Sequence, residues 1–499
     1  MNILRLPVVG SFLRWRYARP ALQLLLLLIS LAVVLHGLLG PQLAPRNLAT
    51  VLTSIHWRGF LIVAIVAAGN LFCTACPMVL ARDVSRRFFH PALRWPRWLR
   101  GKWLGVALLV LVLFSYELFD LWSQPRATAW LVLGYFGLAI AIDTVFKGAS
   151  FCKHLCPIGQ FNFVASTMSP TELRIVERET CRTCRTSDCI KGSPADRPAA
   201  ASAHGATAAK EAGHYGQRGC ELGLFLPMKV GNLDCTMCLD CVHACPHDNI
   251  ALVTRIPGAE LLERGRRSGI GRLAQRADLA ALAVVFTFAA LVSAFAMTSP
   301  AYLVEQWLAA TMGTRSEWPI LAVIFIVGLF VLPAALLSGA GAVTRAFAPE
   351  PRGTRLRPFG ASARRALAAT VMSYSYALIP IGLGIWVAHY GFHLLTGLLT
   401  IVPVAQSAVV DAFGHALLGG PFWGWVGLQP GAVFPIQLGC VVLGAAGSLA
   451  MVQAISQRDQ PSRPVLASTP WLALVLLITT TALWIMSQPM EMRAVSFLG

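Results

Sequence analysis

The stretch CTMCLDCVHACP, from Cys235 to Pro246, decides how the rest of this chain is interpreted. Its four cysteines, Cys235, Cys238, Cys241 and Cys245, are separated by two, two and three residues, and proline follows the last one. Such spacing lets three thiolates wrap one cube of iron and sulfide, while in two-cluster proteins the fourth cysteine ligates the other cluster. The stretch therefore predicts 4Fe–4S chemistry and a second set of cysteines elsewhere.

The second set lies upstream, in CRTCRTSDC, and is completed by a more distant cysteine. We expect two 4Fe–4S clusters with crossed ligands. One set is Cys181, Cys184, Cys189 and Cys245, and the other is Cys220, Cys235, Cys238 and Cys241. The upstream set has a longer second spacing, and Glu221 rather than proline follows Cys220, so the crossing is less firmly indicated than the ligands. Two zinc sites are the alternative, because four cysteines also suit zinc.

The composition of the 499-residue chain is that of a membrane protein. Hydrophobic residues make up 56% and charged residues 13%, against about 25% charged residues in soluble domains. The mean hydropathy is +0.63. The excess of 41 Lys+Arg over 23 Asp+Glu gives +18, but these cations lie in short loops between apolar runs, where they set topology. We therefore expect no nucleic-acid partner.

Nine apolar runs are long enough to cross a bilayer as helices. They cover about 20–40, 58–80, 103–122, 129–147, 277–298, 318–338, 367–396, 434–455 and 469–487. Arginine and lysine concentrate in residues 1–19, 81–102, 339–366 and 456–468, which fall on one side if the nine spans are right. Because basic loops stay inside, we expect a bacterial inner-membrane protein. Its N-terminus and cysteine-rich insert would be cytoplasmic and its C-terminus periplasmic.

These observations predict an α-helical polytopic membrane protein of about nine transmembrane helices with a cytoplasmic two-cluster ferredoxin-like insert. Residues 1–147 would form a four-helix membrane domain, 148–276 the insert, and 277–499 a five-helix membrane domain. Within the insert, residues 191–219 are rich in Ala, Gly and Pro and predict a flexible loop. The grouped cysteines indicate metal binding in a reducing compartment rather than a disulfide framework.

Two further cysteine motifs, FCTACP (72–77) and FCKHLCP (151–157), follow the second and fourth predicted spans. Their cysteines, hereafter the motif cysteines, are Cys73, Cys76, Cys152 and Cys156. The repeated frame indicates two related helical hairpins, and the proline is expected to break the helix. Four converging thiols would hold a third iron–sulfur cluster or act as a redox-active set. The alternative is that they are small buried residues.

The C-terminal half places His389 and His393 four residues apart, on one face of the seventh span. Ionisable groups inside a membrane are functional candidates, so this pair predicts a haem b, a quinone site or a metal site; an interfacial role is the alternative. His36 is the expected partner for a bis-histidine haem. Asp143 and Lys147, also four apart, predict an ion pair or a proton relay.

Taken together, the motifs resemble the membrane-bound polyferredoxins of the NapH, NosR and CcoG kind. The resemblance covers about residues 20–255 and rests on the paired Cys-Pro motifs and the two-cluster insert. It implies quinol-linked electron transfer, or electron supply to the assembly of a metalloenzyme. The chain departs from the pattern in the short spacing of Cys73 and Cys76 and in its additional C-terminal half.

The resulting functional expectation is an electron-transfer subunit of a larger membrane oxidoreductase. It would pass electrons between the quinone pool, or an outer-face carrier, and a cytoplasmic dehydrogenase or cytochrome subunit. The alternative is a maturation factor that supplies electrons or reduces metal while another metalloenzyme is assembled. Membrane lipid is an expected partner in either case.

Overall fold

The computed structural model describes residues 1–193, 216–347 and 361–489. Most of the predicted flexible loop, 191–219, lies outside these residues. The described part is largely helical and contains a single two-stranded sheet. The expected α-helical class is therefore confirmed.

Eight helices in the described ranges are long and apolar enough to cross a membrane. They are Ala18–Leu39, Leu48–Ala68, Pro125–Val145, Ala277–Phe295, Glu317–Phe347, Ala363–Thr396, Pro430–Asp459 and Pro464–Ser487. The third predicted span is an apolar helix of only 16 residues, Trp103–Leu118, about 24 Å long at 1.5 Å per residue. The nine predicted spans thus correspond to eight long helices and this shorter one, and the chain is a multi-pass membrane protein.

The second span differs most from its predicted range. It covers Leu48–Ala68 instead of 58–80. Gly69 has a φ of 99°, a left-handed conformation that favours glycine. The side chain of Asn70 then accepts from the amide of Cys73 and caps a new short helix, Leu71–Thr74. Residues 71–80 are apolar enough to resemble a membrane helix, but this backbone turn ends the span before them.

The two Cys-Pro prolines break the helical path as predicted, since the segments Leu71–Thr74 and Phe151–Leu155 end before them, and each proline also begins a new helix. Pro77 opens the helix Pro77–Ser85, and Pro157 opens the helix Pro157–Ala165. Cys76 and Cys156 are the N-cap residues. Proline suits the first helical position because its missing N–H would have no intrahelical partner there.

The remaining elements are short. The α-helices are Pro7–Arg14, Arg178–Thr183, Asp188–Lys191, Asp240–Ala244, Ser299–Met312 and Ile401–Phe413. Single 3₁₀ turns are Ile3–Arg5, Ala44–Arg46, Arg97–Leu99, Ser166–Met168, Leu226–Met228, Ala259–Leu262, Leu273–Gln275 and Tyr376–Leu378. Segments of π-helix are Val51–Trp57, Phe151–Leu155 and Val327–Val331. Strands β1 and β2 are Thr171–Ile175 and Ile250–Thr254.

The chain divides into two compact units that are not consecutive in sequence. The first is Met1–Ile29, Ala64–Gly101 and Tyr135–Arg272, and the second is Ser30–Val63, Lys102–Gly134 and Leu273–Gly499. Both Cys-Pro motifs therefore belong to the same unit as the ferredoxin-like insert, a grouping that the three predicted consecutive segments did not include.

In the first unit, strands β1 and β2 pair antiparallel, with Leu173 opposite Leu252. Because β1 precedes the first cysteine set and β2 follows the second, the pair holds the two ends of the cysteine-bearing segment together. The N-terminal arginines also contact this segment. Arg14 lies 3.1 Å from the carboxylate of Asp248, and Arg19 lies 2.7 Å from that of Asp240. These side chains make specific ion pairs in addition to the topological role predicted for them.

The second unit is held together by close contacts between apolar helices. A Cβ at Gly384 would lie 2.6 Å from the carbonyl oxygen of Cys440, so Ala363–Thr396 and Pro430–Asp459 can approach this closely only with glycine there. The buried indole of Trp386 donates to the carbonyl of Phe286 at 2.9 Å. Each polar atom placed inside this unit needs such a partner, because lipid offers none.

Candidate metal centres

The eight cysteines of the insert line two separate cavities. Those of the first cavity are Cys181, Cys184, Cys189 and Cys245. Those of the second cavity are Cys220, Cys235, Cys238 and Cys241. The grouping is the same as the predicted crossed assignment, so the last cysteine of the CTMCLDCVHACP stretch lies with the upstream set. Ligation itself stays a prediction.

The backbone around the two sets repeats a local geometry that the sequence reading missed. Ser187 and Leu239 each stand two residues before a cysteine and have left-handed backbones, with φ of 55° and 64°. Each is the N-cap of a short helix that begins with aspartate, Asp188 or Asp240. Non-glycine residues with positive φ store strain that the surrounding structure must support, and they cluster at functional sites. The shared Asp-Cys pairs were the available sequence signal.

Amide donors point at the sulfurs of the first two cavities. Asn249 donates from its side chain to Cys181 Sγ at 3.3 Å and from its backbone to Cys245 Sγ at 3.4 Å. The backbone N–H of Leu224 donates to Cys220 Sγ at 3.4 Å. Hydrogen bonds to cluster sulfurs are one of the means by which proteins set reduction potentials.

The motif cysteines line a third cavity, together with Cys220 and Cys238 from the wall of the second. Asn162 donates to Cys73 Sγ at 3.5 Å, and the backbone N–H of Gly159 donates to Cys156 Sγ at 3.2 Å. The first Cys-Pro motif is bonded directly to the CTMCLDCVHACP stretch, since Thr74 donates to the carbonyl of Met237 at 2.9 Å. Residues more than 60 positions apart thus form one group of thiols.

The spacing of these thiols bears on the zinc alternative. Among the described residues, no three His, Cys, Asp or Glu side chains come close enough together to hold a single metal ion. Four thiolates around one zinc ion lie about 3.8 Å apart, given a Zn–S distance of about 2.3 Å. Thiolates that share a four-iron cube stand farther apart. Zinc stays the alternative to the predicted iron–sulfur clusters.

Burial keeps the motif cysteines protonated in the absence of a metal. It raises the pKa of Cys73 to about 12, and it raises the pKa of Cys152 and the pKa of Cys156 above the ordinary thiol value. The motif cysteines are partly exposed, as redox-active thiols are, but cysteines that carry thiol redox chemistry have low pKa values. A coordinating metal, by contrast, deprotonates a thiol outright. The setting favours metal ligation over a redox-active thiol set.

Two arginines, the partly buried Arg19 and the buried Arg82, also line the third cavity. The carboxylate of Glu221 accepts from Arg82 at 2.7 Å and from Arg86 at 3.0 Å. Asp143 lies 3.7 Å from Arg82 and accepts from the backbone N–H of Phe151 at 2.8 Å. The sequence spacing suggested an ion pair between Asp143 and Lys147. In the structure Asp143 pairs with Arg82 instead. No spacing rule connects these residues, because they come from three distant segments.

In the second unit, His389 is fully buried, and neither of its ring nitrogens has a hydrogen-bond partner among the described residues. The ring of His393 stands edge-on to it with centroids 5.1 Å apart, and His393 Nε2 also has no partner there. Arg58 lies in the same unit, stacked 3.9 Å from the ring centre of Tyr116 and 5.4 Å from that of Tyr390. Sequence reading singled out the histidines but not the arginine.

His36 makes other contacts. Its Nδ1 accepts from the backbone N–H of Leu48 at 3.0 Å, and its Nε2 lies 3.4 Å from the carboxylate of Asp411. Both ring nitrogens are engaged, so the geometry does not support His36 as an axial haem ligand opposite His389. His389 and His393 themselves lie on one helix, at successive turns, and cannot ligate opposite faces of one haem.

The second unit also has an open apolar groove of about 590 Å³. It lies between the helices Trp103–Leu118, Ala277–Phe295, Glu317–Phe347 and Ala363–Thr396, and Ser338 and Ser375 are its hydroxyl-bearing residues. A lining of this kind suits a hydrocarbon chain.

Comparisons with known proteins agree with part of this description. The chain is 26% identical over 182 residues to the ferredoxin-type protein NapH of Haemophilus influenzae, a match that covers 31% of this chain and 57% of that protein. No family model matches the chain, and no solved structure matches it. The chain thus spans little more than half the length of that relative. The similarity supports a NapH-like, ferredoxin-type protein at most, and it does not confirm the resemblance to the NosR and CcoG kinds.

Proposed function

We propose that this chain is an electron-transfer subunit of a membrane oxidoreductase. It passes electrons between the quinone pool, or a carrier at the outer face, and a cytoplasmic dehydrogenase or cytochrome subunit. The proposal places the chain in a bacterial inner membrane, with the N-terminus and insert in the cytoplasm and the C-terminus in the periplasm. The distribution of arginine and lysine between loops supports this orientation.

The observation that carries the proposal is the presence of three cavities, each lined by four or more cysteines. A bound 4Fe–4S cluster accepts and donates electrons singly. Cys220 and Cys238 line both the second and the third cavity, so their side chains form the wall between two proposed centres. Asn162, Gly159, Leu224 and Asn249 hold the sulfurs in place by the hydrogen bonds described above. The residues thus support two 4Fe–4S clusters in the insert and a third at the motif cysteines.

For the C-terminal half we propose a quinone headgroup site at His389 and His393 in preference to haem b. Two imidazoles with unpartnered nitrogens can exchange hydrogen bonds with quinone oxygens, whereas a bis-histidine haem lacks its second ligand because His36 is engaged elsewhere. The guanidinium of Arg58, within reach of the same group, would favour an anionic ligand. A neutral imidazole also has a nitrogen lone pair that can accept a hydrogen bond from a quinol hydroxyl.

Replacing His389 by leucine is expected to slow reduction of the protein by a quinol analogue by about 100-fold, the lower end of the contribution of a general base. Leucine removes two unpartnered nitrogens and fills a similar volume, so folding and iron content should be preserved. The measurement is stopped-flow bleaching of the visible absorbance under nitrogen. His415→Leu is the control, because His415 is exposed. An unchanged rate in the His389 variant, or the loss of a haem Soret band, would contradict the quinone assignment.

The alternative, a maturation factor that reduces or handles metal, has less support. Thiol-based metal reduction requires accessible thiolates, whereas burial raises the pKa of Cys73 to about 12. A factor of this kind would still be recognised by metal reduction that depends on added thiol and not on quinol.

The test of the main proposal is an iron and acid-labile sulfide determination on protein purified without oxygen, combined with EPR. We expect about 12 iron atoms per chain, for three four-iron centres, and reduction by a quinol analogue. A colourless preparation without labile sulfide would refute the proposal. A brown preparation that only exchanges electrons with thiols would favour the maturation factor.

A further inference from the structure

The third cavity differs from the other two in the cations that line it. Arg19 and Arg82 both lie in its wall, whereas no arginine is among the described residues that line the first and second cavities, and the second has only Lys229 as a cation. The side chain of Arg82 is 2% exposed and that of Arg19 is 16% exposed. One buried and one mostly buried guanidinium group next to four thiols need an explanation, because burying a charge is costly unless it is compensated.

Arg82 is compensated by a carboxylate beside a cluster cysteine. Its Nη2 lies 2.7 Å from Glu221 Oε2 and 2.9 Å from Asp83 Oδ1. Glu221 directly follows Cys220, which lines the second and third cavities. Although burial lowers it, these carboxylates hold the pKa of Arg82 above its ordinary value, so the residue stays cationic.

Arg19 offers a donor that has no partner among the described residues. Its Nη1 is paired with Asp240 at 2.7 Å, but its buried Nε has no hydrogen-bond acceptor there. Asp240 lies between the cluster cysteines Cys238 and Cys241. Arg19 is thus paired with the insert, and its Nε–H remains as a donor without an acceptor among the described residues, in the wall of the third cavity.

We propose that Arg19 and Arg82 are positioning residues that raise the reduction potential of the centre held by the motif cysteines. The inference rests on the proposed function, since it requires that centre to exist. Reduction adds one electron and no proton, so the site becomes more negative by one charge. A nearby buried cation stabilises the more negative state, and at low dielectric constant this interaction is large. Net charge and hydrogen bonds to sulfur are established determinants of cluster potential.

Because carboxylates neighbour the arginines, the proposal predicts the direction in which each substitution shifts the reduction potential. Arg82 and Glu221 line the same cavity with opposite charges. Removing the cation must make reduction harder, and removing the anion must make it easier. If the pair only braced the fold, loss of either partner would disturb the site in the same direction, since both substitutions break one ion pair.

The experiment compares Arg82→Gln, Arg19→Gln and Glu221→Gln by EPR-monitored redox titration of the intact protein in detergent. In the two arginine variants we expect the midpoint potential of the third centre to fall by at least 59 mV, a tenfold change in the ratio of reduced to oxidised centre for one electron. In Glu221→Gln we expect a shift of opposite sign. Arg255→Gln is the matched control, since Arg255 is 7% exposed, pairs with Glu260 and Glu172, and lines none of the three cavities. Its centres should keep their potentials.

Iron content, measured in parallel, distinguishes failure of the proposed third centre from failure of the inference about its reduction potential. A wild-type protein with about 8 iron atoms per chain would remove the third centre, and with it both that part of the proposed function and this inference. Full iron content with unchanged potentials in both arginine variants would overturn this inference alone. Shifts of the same sign in Arg82→Gln and Glu221→Gln would also overturn it. If Arg82→Gln fails to fold, Arg19→Gln decides the outcome, because Arg19 is less buried.

Discussion

Serine at both Cys73 and Cys156 is expected to lower the iron content from about 12 to about 8 atoms per chain and to remove one EPR signal. Serine is nearly isosteric with cysteine but is a poor ligand to iron, so the change acts on ligation and not on packing. The two positions come from different Cys-Pro motifs and line the same cavity. Losing one ligand from each motif leaves neither able to hold the centre alone.

Cys440→Ser is the control for this substitution. Cys440 lies in the helix Pro430–Asp459 and lines none of the three cysteine cavities. Its variant should keep full iron and all EPR signals. If the Cys73 and Cys156 variant also keeps about 12 iron atoms, the motif cysteines are not ligands, and the third iron–sulfur centre must be abandoned.

The crossed ligand assignment predicts an equally large and more unusual result. Serine at Cys181 and Cys245 together should cost about 4 iron atoms, because both residues line the first cavity. Serine at Cys241 and Cys245 together should cost about 8, although these residues are only four apart, because they line different cavities. Effects within one centre are not additive, while effects on separate centres are.

Iron analysis and EPR of the two double variants and the three single variants measure this directly. If the four cysteines of the CTMCLDCVHACP stretch instead bound one cluster among themselves, the outcomes would be reversed. The pair Cys241 and Cys245 would then cost about 4 iron atoms and the pair Cys181 and Cys245 about 8. The serine at Cys245 is shared by both double variants, so its own effect on folding cancels in the comparison.

Features that depend only on residues close together in the chain, such as cysteine groups and apolar runs, could be predicted from the sequence. The spacing of Cys235, Cys238 and Cys241 restricts these thiols to one small volume whatever the rest of the chain does, and apolar runs of about 20 residues have few alternatives to a membrane helix. The predicted helical membrane class and the eight long spans followed from these constraints. The second span was predicted in the wrong range because hydrophobicity does not show where a helix ends. Gly69 and Asn70 end this helix through backbone conformation and side-chain capping.

Long-range pairing could not be predicted in the same way. Nothing local connects Arg82 with Glu221, or His36 with Asp411, because the identity of a partner more than 100 residues away depends on how whole segments pack. The same is true of Arg58, which the sequence presents as one topological cation among many and the fold stacks on Tyr116.

The sequence by itself determined which groups are present: eleven cysteines in short-spaced groups with Cys220 between two of them, a membrane-spanning body, and a pair of histidines four residues apart. Only the tertiary structure decided that both Cys-Pro motifs belong to the same compact unit as the insert, and that the cavity they line also contains two arginines. The physical reason is that thiol spacing and hydrophobicity act over a few residues, whereas the electrostatic surroundings of a cavity are assembled from segments that meet only when the chain is folded.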